Sequence, residues 1–185
     1  MVIPLVLLVA AATASSFTPP SLDHLRGVSP RETALLRDLV ARSATARTLA
    51  ARIESEAVIV YVEITTSMPR GRGATRLAAT TPLARFIRIT LAPVAHADDQ
   101  AALLAHELQH AVEIAGAPDV TSSADMRRLY QSIGEDRTAT VALETAAAQE
   151  VSARVRLELS RNPALKTPHT IEMLRDNRSG SNRIE

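Results

Sequence analysis

The stretch "LLAHELQHAVE", residues 103–113, sets two histidines four apart with a glutamate directly after the first. Positions i and i+4 of an α-helix lie one above the other on a single face, so His106 and His110 can meet one metal ion. Glu107 is turned around the helix from that pair. It can take a proton from a water that the metal activates without competing as a ligand. Glu113, three residues past His110, shares the histidine face and is read as an acceptor for a ligand imidazole. Leu104, Leu108, Ala111 and Ala115 form a separate apolar side that would seat the helix in a core.

A catalytic zinc site needs three protein ligands and one open position. The 185-residue chain has no cysteine, so the third ligand must be His, Asp or Glu, and disulfides are excluded. A metzincin continuation would need Gly at 113 and His at 116, where this chain has Glu113 and Gly116. Further on, "ATVALETAAAQEVSARVRLEL" predicts a helix over 139–159 that offers Glu144, Glu150 and Glu158. Its apolar stripe runs through Ala147, Ala148, Val151, Val155 and Leu159, and Glu144 falls on that stripe. A carboxylate buried there is costly unless it is paired or binds metal, which makes Glu144 the expected third ligand. Glu150 is the alternative, although its spacing suits an ion pair with Arg154. Glu158 is expected to pair with an arginine such as Arg154. Tyr130 could stabilise an oxyanion or serve as a core tyrosine.

Several elements must position these groups. From Pro30 the sequence predicts one helix over about 32–54, packed across the back of the domain. "AVIVYVEITT", 57–66, reads as a strand, and "SMPRGRGATR", 67–76, as a turn or loop. "RFIRITLA", 85–92, alternates apolar and polar residues and reads as a half-exposed strand at a sheet edge. Asp98 or Asp99 is expected to cap a motif helix over 100–115, ended by Gly116, Pro118 and Asp119. Next come a helix over 123–133 and a turn at "GEDRT". The tail, 161–185, is expected to be frayed, with a short helix near 171–175.

The pairing of "HELQH" with "ETAAAQE" 33 residues later resembles the gluzincin branch of the zincin metallopeptidases. In that family a downstream glutamate, often with an alanine three positions on, supplies the third zinc ligand, and Glu144 with Ala147 matches. The resemblance implies an α+β, zincin-like fold: a small mixed sheet whose edge strand packs on the motif helix, beside a second, glutamate-bearing helix. It also implies a zinc-dependent peptidase with Glu107 as general base. An extended peptide or protein substrate would then pair along the edge strand, which the strand reading places at 86–91. Full-size members carry a second helical domain, and only about 25 residues come after Leu159 here, so a minimal single-domain form over 31–160 is expected.

The flanks and the composition set limits. "MVIPLVLLVAAATASS" reads as a signal peptide, 1–14, cut after Ala14, with a linker over 15–30. That reading implies export to the periplasm or the extracellular space, with no stable membrane span after the signal is removed. The 21 basic and 20 acidic residues leave a net charge of +1, so no broad nucleic-acid partner is expected. "RGRGATR", with Arg85 and Arg88, could contact phosphates but reads better as a solvated loop beside the substrate groove. A catalytically inactive, metal-stabilised binding module of the cell envelope is the rival reading. A di-metal bundle would require a second Glu-x-x-His unit, which the chain lacks.

Overall fold

The computed structural model describes residues 21–68, 72–134 and 144–163. Its elements run β1 (Leu25–Gly27), α1 (Pro30–Arg42), α2 (Ala44–Glu54), β2 (Val58–Ile64), β3 (Gly73–Thr80), β4 (Arg85–Leu91), α3 (Ala97–Ala115), α4 (Ser123–Ile133) and α5 (Ala146–Arg161). The arrangement is α+β, with one mixed sheet ordered β1-β2-β4-β3. The expected signal peptide, the "GEDRT" turn, the first part of the expected helix over 139–159 and the tail helix near 171–175 lie outside the described residues. Among the described residues no helix is long and apolar enough to cross a membrane.

The β-branched runs of β2 and β4 pair in parallel, Val60 opposite Ile87, and form the middle of the sheet. Strand 85–91 is therefore central, not at an edge: β2 occupies one side and β3 the other. The edge belongs to β3, antiparallel to β4, with a register irregularity between Leu77 and Ala79. Sequence reading takes the start of this strand for a loop because its glycines and arginines mask the alternation. Its only buried residue is Leu77. A four-residue connection joins β3 to β4, closed by a Thr81 N–H donating to the Ala84 carbonyl at 2.9 Å, with Leu83 89% exposed. At the opposite edge β1 pairs with β2 inside the expected linker, so the folded unit begins before residue 31.

The helix expected over 32–54 is two helices. Ser43 has extended backbone (φ −118°, ψ 121°), and its hydroxyl accepts the Ala46 N–H, ending α1 and capping α2. Glu158 of α5 takes hydrogen bonds from the Ser43 hydroxyl and from the Thr45 N–H and hydroxyl. Glu158 thus holds the start of α2 and does not pair with Arg154, while Glu150 does pair with Arg154.

The motif helix α3 begins at Ala97 with His96 as its N-cap and no capping side chain. Asp98 and Asp99 sit in the first turn, where negative charge suits the helix dipole, and Asp98 also pairs with the buried Arg42 at 2.8 Å. At its other end, Arg85 donates to the carbonyls of Ile114, Ala115 and Ala117 at 2.7–2.8 Å. That arginine caps the helix and is not a free phosphate contact. Leu104, Leu108, Ala111 and Ile114 are fully buried, against an inner sheet face of Val58, Val60, Val62, Leu77, Ile87, Ile89 and Leu91. Each such leucine contributes about 1.5–3 kcal/mol of burial, which fixes the rotation of α3 and so the direction of its histidines.

Candidate metal centre

The His106 and His110 imidazoles meet with their Nε2 atoms 3.2 Å apart, and Glu144 Oε2 lies 3.2 Å from His106 Nε2. One donor atom from each of the three falls within 4.8 Å of the others. Zinc bonds of about 2.0–2.1 Å at tetrahedral angles would separate donors by about 3.3 Å, close to the two 3.2 Å spacings at His106, while the His110 and Glu144 donors lie within 4.8 Å of each other. Two imidazole nitrogens and one carboxylate oxygen also form a donor set suited to that ion.

Glu144 meets the histidines by a different route from the one its helical spacing implies. Helix α5 starts at Ala146 with Thr145 as its N-cap, so Glu144 stands ahead of the helix, off its apolar stripe. Its side chain is 46% exposed rather than buried. Thr145 sets its position: the hydroxyl donates to Glu113 Oε1 at 2.8 Å and accepts the Ala148 N–H at 3.2 Å, pinning the start of α5 to α3. The signal for this was a Thr followed by three alanines, an N-cap pattern inside the predicted helix.

Glu113 is a bound neighbour of the site and is not merely solvated. It accepts from His110 Nδ1 at 2.9 Å, from Gln109 at 3.1 Å and from Thr145. A proton on His110 Nδ1 leaves its Nε2 lone pair facing Glu144 and His106, as a metal ligand requires. Burial would raise the Glu113 pKa, but the three hydrogen bonds outweigh it and keep the carboxyl ionised. Burial likewise works against charge on His110, yet the Glu113 hydrogen bond and the fields of Glu107, Glu113 and Glu144 raise its pKa. Surroundings that hold a proton there attract a cation in general. His106 is shifted down, chiefly by burial, which favours the neutral imidazole over the imidazolium.

Glu107 is 5% exposed. Its Oε2 accepts from the Thr75 hydroxyl at 2.7 Å, and that hydroxyl also lies 3.1 Å from the Glu107 carbonyl oxygen. A Cβ on Gly73 would come within 2.3 Å of Glu107 Oε1, so a side chain at residue 73 would displace the carboxylate from its present position. Burial raises the Glu107 pKa, the Thr75 hydrogen bond and His110 oppose it, and the net shift is upward, toward that of a usable proton acceptor. Sequence reading missed Thr75 and Gly73 because they sit in the segment taken for a loop.

Tyr130 is a core residue. It is 3% exposed, its ring stands edge-on to His110 with centroids 5.4 Å apart, and its hydroxyl donates to the His110 carbonyl at 3.2 Å. Burial raises its pKa, so it remains protonated and bonded to the His110 backbone. Glu150 pairs with Arg154 on the exposed side of α5 and does not join the cluster, leaving Glu144 as the third donor among the described residues. In comparisons with known proteins, no family model, no curated protein and no solved structure matches the chain.

Proposed function

We propose that the protein is a zinc-dependent peptidase in which His106, His110 and Glu144 hold the ion. The convergence of these three donors beside a buried glutamate carries the reading. When bound, zinc would supply Lewis acidity toward a water and a peptide carbonyl. Glu107, its pKa raised by burial and its orientation set by Thr75, removes the proton of the attacking water and passes it to the departing amine. Glu113 keeps the His110 proton on Nδ1 throughout. The strand beside which an extended substrate pairs is β3, with its outer edge open among the described residues, and not 86–91. Gly73 and Thr75 would place the scissile bond next to Glu107.

Two variants test this. Glu107→Gln should keep one bound zinc and lose hydrolysis of a peptide library, and Glu144→Ala should lose most bound metal by elemental analysis. Wild-type cleavage by Glu107→Gln refutes the base assignment, and full metal retention by Glu144→Ala refutes the ligand assignment.

A further inference from the structure

The described helices that touch the sheet cover one of its faces, α5 packing instead on α2 and α3, as the strand burial shows: Val58, Val60, Val62, Ile87, Ile89 and Leu91 are buried, while the residues between them are half-buried or exposed. On the opposite face the register lines up Arg26 with Tyr61, Tyr61 with Arg88, and Arg88 with Arg76, one row across all four strands. Arg26 and Arg76 are exposed, and the Arg88 side chain is 45% exposed. Arg88 has Glu63 at 3.6 Å, and Arg26 Nε donates to the Asp23 carbonyl. Among the described residues Arg76 has no ion pair or side-chain hydrogen bond. Two arginines directly opposite each other on neighbouring strands repel, so Arg76 and Arg88 impose a local cost on the fold.

We propose that this row is a docking face for an acidic segment of polypeptide, rich in Asp and Glu, that belongs to the substrate. It rests on the peptidase reading for the identity of the segment and not for the binding itself. Arginine forks suit carboxylates through paired hydrogen bonds, and a bound carboxylate between Arg76 and Arg88 turns their repulsion into attraction. The face is continuous with β3, so a chain paired along that edge can lay its neighbouring residues across the row. The two aromatic residues on this face, Tyr61 and Phe86, are half-buried and stand in different rows, which provides no continuous platform for stacked bases. A net charge of +1 confines the attraction to the row itself and favours a short acidic segment over nucleic acid or an anionic lipid surface.

The test is fluorescence anisotropy with a labelled Glu-Ser repeat peptide and full-length, metal-free protein. Binding should weaken with salt and vanish for the matching Gln-Ser peptide. It should fall about tenfold in Arg76→Thr and further in the Arg76→Thr, Arg88→Thr double variant. Because Arg76 is exposed and opposed by a like charge, Arg76→Thr should unfold at a denaturant midpoint no lower than wild type. Unchanged affinity in the double variant overturns the proposal, as does tighter binding of oligo-thymidine or phosphatidylglycerol vesicles than of the acidic peptide. Dimerisation of Arg76→Thr with peptide affinity intact also overturns it, since the arginine would then guard the edge of β3 against self-pairing. Absence of hydrolysis in the zinc-loaded protein refutes the peptidase reading and leaves this binding result standing.

Discussion

Glu107 is set against β3 at two points, by the Thr75 hydroxyl on Oε2 and by the close approach of its Oε1 to the Gly73 backbone. A base that is a few tenths of an ångström or a few tens of degrees out of line loses rate without losing its substrate. Thr75→Val keeps the shape and removes the hydrogen bond, so kcat should fall about 10–100-fold with KM and metal content unchanged. Thr75→Ser should restore most of the rate. A drop in metal content parallel to the drop in kcat would instead mean that Thr75 supports the fold of the ligand helix. The placement of His106, Glu107 and His110 on one helix was legible in sequence because their relation is local. Thr75 and Gly73 were not, because they reach Glu107 only through the pairing of β3 with β4 and the packing of both on α3.

At the scale of elements, α2 and α5 are joined through Glu158, which accepts both the backbone N–H and hydroxyl of Thr45 and the hydroxyl of Ser43. Burial would raise the Glu158 pKa above its ordinary 4.5, but those hydrogen bonds outweigh it and lower it. A carboxyl lowered in the folded state gives stability that is complete above pH 4.5 and is lost as pH falls through the folded value. Glu158→Gln should therefore cost about 1–2 kcal/mol at neutral pH, and the gap to wild type should narrow as pH falls below 4.5. Denaturant titrations in a chelating buffer measure it free of the metal site, and a gap that stays constant with pH refutes this role. The same contact explains the helix break at Ser43, which periodicity could not reveal: the apolar spacing continues through residue 43, and the partner that takes the freed Thr45 N–H is 113 residues away. The opposite error arose with strand 85–91. Its alternation of apolar and polar residues reads as an edge, whereas it lies mid-sheet with one face uncovered among the described residues, and periodicity reports faces but not neighbours.

For the whole molecule, the proposed metal ligands come from two parts that are separate in sequence: His106 and His110 from α3, Glu144 from the chain entering α5. An ion held by all three would tie α5 to α3 in addition to the apolar contacts of Ala148, Val155 and Leu159, which are fully buried. Zinc at about 100 times its dissociation constant should add about 2.7 kcal/mol and raise the melting temperature by about 5–10 °C. Calorimetry with and without a chelator reads this, and Glu144→Ala should abolish most of the shift. Equal melting temperatures in both buffers would show that the cluster holds no ion strongly.

The exposed turn between β3 and β4 opens a way to watch the edge strand directly. The chain contains no cysteine, and Leu83 projects from that turn with 89% of its surface in solvent. A single cysteine introduced there would be the one thiol in the protein. A spin label or fluorophore on it would sit on the hairpin that carries Gly73 and Thr75, and would report when a peptide settles against β3 without touching any group that does the chemistry.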